Sequence, residues 1–214
     1  MSKKQKDLFL EFEANNWFER NKELLGKVDV QKDLLTVELE NLIENIQSES
    51  VNILEIGCGN GHRLRFFKSK KKLKLFGIDP SQNAIEEANK NGITAKVGTA
   101  DLLDFNDDKF DIVIFGFCLY LCDREDLFKI SSEANRVLKD SSYLVILDFY
   151  SKNEKVNSYH HLEGVSSFKM DYKKLFEWHP SYTLIKQHVG AHPDFSPTDE
   201  KNEMISVSIL RKFQ

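Results

Sequence analysis

Cysteine is scarce: Cys58, Cys118 and Cys122 are the three in 214 residues. They form no even framework and show no metal-ligand spacing, which excludes a disulfide-stapled scaffold and gives no reason to expect a metal. Each lies in or beside an apolar run, the pattern of buried free thiols in a reducing cytoplasm. Only four prolines occur, with no Pro/Gly/Ser-rich stretch and no internal repeat, so no linker divides the chain. A single domain over residues 1–214 is expected. No apolar run approaches the ~20 residues of a membrane-spanning helix, so no membrane insertion is expected. The N-terminal Met1 to Lys6 is basic, but Asp7, Glu11 and Glu13 come directly after it, unlike a secretory signal, and a cytoplasmic location is expected. A basic surplus is also missing. Lys and Arg number 30 against 34 Asp and Glu, a net charge of −4, which argues against DNA as a partner. The one basic cluster, Lys68 to Lys74, reads as a solvated helix end suited to the helix dipole.

What is present is concentrated between Val51 and Asp79. Val51, Ile53, Leu54 and Ile56 form an apolar run that contains Glu55 against the pattern. Gly57-Cys58-Gly59-Asn60-Gly61 comes next, then a helix-like segment from His62 to Lys68. Leu73, Leu75, Phe76 and Ile78 make a second apolar run that ends on Asp79. Glycines after a buried strand let the backbone pass close to a ligand because no Cβ blocks it. An acid at the end of the next strand can take both hydroxyls of a ribose. Together they form half of a nucleoside-binding site.

The rest of the chain supplies a rhythm. Residues 1–50 read as a helical cap, with Leu8, Phe9, Phe12, Trp17 and Phe18 in a first part and Leu35, Leu39, Leu42 and Ile46 on one face of a second, divided at Gly26. Residues 51–150 alternate strand and helix. Ser81 can cap a helix burying Ala84, Ile85 and Ala88, and Gly92 can end it. Ile93 to Val97, Phe110 to Phe115 and Tyr143 to Phe149 read as further strands, which argues for a parallel sheet covered on both faces. Residues 151–214 hold a polar loop and two strands, Tyr182 to Val189 and Met204 to Leu210, with no helix between them. They read as an antiparallel pair at one sheet edge.

These residues resemble the class I S-adenosylmethionine-dependent methyltransferases. Glu55 to Gly61 looks like that family's first motif, and Asp79 falls where it keeps a ribose-binding acid. Gly98-Thr99-Ala100-Asp101 falls where it contacts adenine. Phe110-Asp111-Ile112-Val113 resembles its fourth strand, Val137-Leu138-Lys139 the approach to its fifth, and the terminal pair its reversed seventh strand. The resemblance implies an α/β, Rossmann-like fold: a seven-stranded mostly parallel sheet in the order 3-2-1-4-5-7-6, strand 7 antiparallel, with helices on both faces. It implies S-adenosyl-L-methionine as cofactor, held by Glu55, Gly57, Gly59, Gly61, Asp79, Pro80, Ala100, Asp101, Leu102, Gly116 and Phe117. Each of three acids also has a plainer reading: Glu55 as a supporting acid that never touches cofactor, Asp79 as a helix N-terminal acid, and Asp101 as a turn former. A nicotinamide fingerprint would want a small third residue where His62 stands, which disfavours that rival.

Methyl transfer needs proximity and alignment, and a hydroxyl acceptor also needs a general base. No Asn/Asp-Pro-Pro-Tyr/Phe sequence is present, which speaks against adenine or glutamine amino-methylation. Candidates for the base are His160 and His161, with Tyr120 lining the acceptor pocket; the plainer readings are solvated loop histidines and a core tyrosine. Trp17 and Arg20 on a lid helix, with Tyr150 and Tyr159 after the fifth strand, are candidates to bind the acceptor. Cys118 reads as packing. The expected function is methyl transfer to a small molecule, with a saccharide or natural-product intermediate first in line, by a monomer or homodimer. The alternatives are a non-catalytic cofactor-binding scaffold or activator subunit, or a protein or RNA methyltransferase.

Overall fold

Seven apolar runs pair into one sheet. The computed structural model describes residues 4–70, 72–200 and 203–213, so Met1 to Lys3 of the basic N-terminus and Lys71 of the basic cluster lie outside the described residues. The strands are β1 (Val51–Ile56), β2 (Leu73–Asp79), β3 (Thr94–Val97), β4 (Phe110–Gly116), β5 (Leu138–Phe149), β8 (Tyr182–Ala191) and β9 (Met204–Lys212). Their order is β3-β2-β1-β4-β5-β9-β8. β1 to β5 pair in parallel, and β9 runs antiparallel to both β5 and β8. The implied strand order is therefore the observed one.

Alternate side chains of each strand feed two cores. Ile53, Ile112, Val145 and Val207 face α3 (Leu34–Asn45), α4 (His62–Phe66) and α5 (Gln82–Lys90), packing on Leu35, Leu39, Ile43, Leu64 and Ile85. Leu54, Val113, Leu144 and Leu210 face α6 (Leu127–Val137) and α7 (Lys174–Glu177), packing on Ile130, Ala134 and Phe176. Burial on both faces explains why β4 reads as a nearly unbroken apolar run. Ser81 caps α5 as expected, accepting from Ala84 N at 3.1 Å.

Ahead of the sheet, α1 (Gln5–Leu8) continues through a π-helical turn, Phe9–Glu13, into α2 (Ala14–Lys27). Gly26 lies inside α2 and does not divide the helices. The break falls at residues 28–33, where Asp33 caps α3 by accepting from Thr36 N at 3.2 Å. The polar stretch after β5 is more ordered than its composition implied. It forms a hairpin of β6 (Lys155–Ser158) and β7 (Ser166–Lys169). The basic cluster is engaged with its neighbours: Lys70 Nζ lies 2.9 Å from Glu40, and Lys72 Nζ donates to Ile43 O at the end of α3. Among the described residues no helix is long and apolar enough to cross a membrane.

Candidate cofactor and acceptor site

The bend between β1 and α4 is built from glycines in the left-handed region, with φ of 77° at Gly57, 52° at Gly59 and 69° at Gly61. A Cβ at Gly57 would sit 2.7 Å from Cys118 Cβ and 2.9 Å from Gly116 O, so this position is closed to side chains. A Cβ at Gly59 would meet nothing within 4 Å, because that residue faces open space. The Asp79 carboxylate locks the bend: one oxygen accepts from Gly59 N and the other from Ser81 N, each at 2.9 Å. Burial raises the Asp79 pKa to about 6 despite these two donors.

Behind the bend lies a buried ion network. Glu55, 1% exposed, accepts from Arg63 Nη1, while Arg63 Nε donates to Asp33 at 3.1 Å. The second Glu55 oxygen is buried without a partner. Arg63 and Asp33 line the cavity, whereas Glu55 stands behind them. A Cβ at Gly116 would come within 2.7 Å of Glu55 Oε1, so glycine there makes room for the pair. Arg63→Met strips Glu55 of its counter-ion in a buried site and should cost about 3 kcal/mol or more of stability, read from the urea midpoint. A midpoint within about 0.5 kcal/mol of wild type would contradict this account of the network. His62 also lines the cavity; burial lowers its pKa to about 3, so the imidazole is neutral.

At the next end of the cavity, Ala100 and Asp101 follow β3. Burial pushes Asp101 upward, but Lys6 at 2.6 Å and Lys129 at 3.3 Å outweigh it and hold the carboxyl at about 2. Lys6 also reaches Asp126 at 3.2 Å, and Asp123 accepts from the backbone N–H of Gln5 and Lys6. These contacts lay the first helical turn across this end of the cavity. Leu102 is 68% exposed and outside the cavity.

The cavity has a volume of about 630 Å³ and continues past Gly116 and Phe117 into an aromatic end. Its walls are Trp17 of α2, Phe117 and Tyr120 after β4, Phe149 at the end of β5, and His192 and Phe195 between β8 and β9. Of the residues read as cofactor-binding, Gly57, Gly59, Asp79, Pro80, Ala100, Asp101, Gly116 and Phe117 line it, while Glu55, Gly61 and Leu102 do not. Trp17 and Tyr120 line the acceptor end; Arg20, Tyr150, Tyr159, His160 and His161 do not.

His160 and His161 are exposed on the turn of the β6–β7 hairpin. The His161 ring packs edge-on against Tyr159 at 5.4 Å, and Tyr159 in turn donates to the buried Glu13 at 2.8 Å. Arg20 binds the same carboxylate. These residues fasten the hairpin to the N-terminal helices and leave neither histidine near the cavity. Burial pushes the Tyr120 phenol far above its ordinary range, so it holds its proton. Burial likewise raises Cys118, consistent with a packing thiol.

The imidazole that reaches the aromatic end of the cavity is His192, which the sequence did not single out. It sits on a loop that folds back on itself: Ala191 N donates to Ser196 O at 2.9 Å and Phe195 N to Ala191 O at 2.8 Å. Gly190 permits the fold, since a Cβ there would overlap the Phe195 backbone. Among the described residues no cluster of three or more His, Cys, Asp or Glu could hold a metal ion.

Residues 53–141 match the family model described as a methyltransferase domain. This stretch is similar to methyltransferase domains, and the fold is that of solved S-adenosylmethionine-dependent methyltransferases. An uncharacterized methyltransferase, YcgJ of Bacillus subtilis, is 30% identical over 112 residues, 49% of this chain and 43% of that protein. The ribosomal protein L11 methyltransferase of Dictyoglomus turgidum is 25% identical over 158 residues, 72% of this chain and 50% of that one. The chain thus spans about half the length of these relatives. Its fold also matches the Burkholderia thailandensis 1,6-didemethyltoxoflavin-N1-methyltransferase, solved with 1,6-didemethyltoxoflavin and S-adenosylhomocysteine, at a TM-score of 0.71 and 12% identity, covering 100% of this chain and 92% of that one.

Proposed function

We propose that this chain transfers a methyl group from S-adenosyl-L-methionine to a small-molecule acceptor. The observation that carries the reading is the bond between Asp79 and Gly59, which joins a ribose-binding acid to an open glycine bend at the mouth of one continuous cavity. The cofactor supplies a methyl carbon on a positively charged sulfur, a good leaving group. The protein's part is to hold and align. Asp79 takes the ribose hydroxyls, Ala100 and Asp101 border the adenine, and the backbone of Gly57 to Gly59 runs beside the sugar and the amino-acid tail. Arg63, steadied by Glu55 and Asp33, offers a cation to the tail carboxylate. Gly116 and Phe117 border the reacting end. The fit rests on the space left at Gly59 and on a cavity volume in the range of small-molecule sites.

A small acceptor is favoured because α2 and the β8–β9 loop wall the aromatic end while the first helical turn lies across the end at Asp101. The relatives are named for a ribosomal protein and for 1,6-didemethyltoxoflavin, so their names leave the acceptor open. Calorimetry tests the cofactor: S-adenosylhomocysteine should bind one to one. Turnover is then read as S-adenosylhomocysteine released from S-adenosylmethionine over an acceptor panel. Binding without turnover on any small acceptor would favour a scaffold or a macromolecular substrate.

A further inference from the structure

We propose that His192 is the general base, and that the acceptor it serves is a planar aromatic or heteroaromatic molecule with an ionisable O–H or N–H. The inference rests on the methyl-transfer reading and adds the acceptor's chemistry. The acceptor end is walled by rings. Phe117 and Phe149 lie with centroids 5.4 Å apart, and Tyr120 meets Phe149 edge-on at 4.9 Å. His192 closes the group, 5.8 Å from Phe117 and 5.9 Å from Phe149. Walls of this kind suit a flat ring, which gains offset and edge contacts with them.

The polar groups at this end are already engaged. The Asn21 amide donates to the Trp17 carbonyl at 2.8 Å, and the buried Tyr120 phenol keeps its proton. Around His192 the walls are rings with few amides or carboxylates, which favours a flat acceptor over a saccharide there. Among the described residues no donor or acceptor engages a ring nitrogen of His192, whose backbone N–H is held by Glu203 O at 2.7 Å. A proton-accepting nitrogen therefore stands free beside aromatic walls.

The charged groups around His192 are Glu203 at the start of β9, which favours the imidazolium, and Lys169 of β7, which opposes it. The residue is exposed by area, but partial desolvation of the ring and Lys169 together outweigh Glu203 and lower the pKa, so the ring is neutral and able to accept a proton at neutral pH. The acceptor's O–H or N–H proton passes to a His192 ring nitrogen, and the freed electron pair of oxygen or nitrogen forms the bond to the methyl carbon. The carbon–sulfur bond breaks with its pair left on sulfur, giving a neutral thioether, and the imidazolium releases its proton to solvent.

The test compares wild type with His192→Gln, using 2-naphthol and methyl β-D-glucoside as probes on protein saturated with S-adenosylhomocysteine. Both proteins should bind S-adenosylhomocysteine equally, and both should bind 2-naphthol at least roughly tenfold more tightly than the glucoside. With S-adenosylmethionine, wild type should methylate 2-naphthol, with a rate that falls as pH drops through the imidazole's ionisation. His192→Gln should be slower by about 100-fold or more near pH 7, the usual worth of a general base, and should recover as pH rises toward the naphthol's own ionisation. Equal or tighter glucoside binding, no methylation of bound 2-naphthol, or a variant with the wild-type rate and pH profile would each overturn the proposal. Loss of S-adenosylhomocysteine binding in wild type would instead fail the underlying methyl-transfer reading.

Discussion

Asp79→Ala is expected to weaken S-adenosylhomocysteine binding by about 1–3 kcal/mol, roughly 5- to 150-fold. The carboxylate has two tasks. In the proposed reading it offers charged acceptors to the ribose hydroxyls, and it fixes the bend through Gly59 N and the start of α5 through Ser81 N. Alanine removes the acceptors and frees both amides. A pH signature accompanies the loss. The ionised form is the acceptor-only form, and burial places its pKa near 6 in the cofactor-free protein. Wild-type affinity should therefore be full above that value and fall by up to about tenfold per unit as pH drops through it. Asp148, raised by burial to about 7, titrates in the same region, but it lies outside the cavity lining. His62 at about 3 and Asp101 at about 2 titrate well below it. Asp79→Ala should thus flatten the step near pH 6. Calorimetry across pH 5 to 8 reads both effects; unchanged affinity with an unchanged profile would refute the ribose assignment.

Gly59→Val is expected to reduce S-adenosylhomocysteine binding by roughly 100-fold or more while the protein still folds. The substitution fills space that the protein leaves empty: the added Cβ meets no protein atom within 4 Å, so its methyl groups project into the cavity. The positive φ carries a strain cost of about 1–2 kcal/mol, which should lower the melting temperature modestly. Gly57→Val is the contrasting variant. Its Cβ would press on Cys118 and on the Gly116 carbonyl, so the expected loss there is in folding itself. Calorimetry and thermal melting of the two variants separate a blocked site from a broken one. Wild-type affinity in Gly59→Val would mean that no ligand passes close to this bend.

The parts of this protein that were legible in the sequence are those set by local periodicity and turn chemistry. Apolar runs marked the strands, Ser81 marked a cap, and the glycine bend with Asp79 marked one wall of the cavity. The acceptor end is built by chain segments that meet only in the folded state. His192 lies far in sequence from Phe117 and Phe149, and only the reversed β8–β9 hairpin, with its loop folded back at Gly190, brings the three rings together. Gly190 close before Pro193 was the available signal for that turn. Asp33 was visible as a helix cap three residues before Thr36, but its second task, steadying Arg63, depends on how α3 lies against α4. His160 and His161 misled for the opposite reason. Their setting was polar enough for a site, and the same polarity keeps them in solvent on a hairpin whose inward group is Tyr159.

A crystal structure of the protein with S-adenosylhomocysteine tests the central claim most directly. The expected density shows both ribose hydroxyls within hydrogen-bond distance of the Asp79 carboxylate and the thioether sulfur directed toward Phe117, Phe149 and His192. A nucleoside bound elsewhere, or a side chain filling the bend between Gly57 and Gly61, would contradict it.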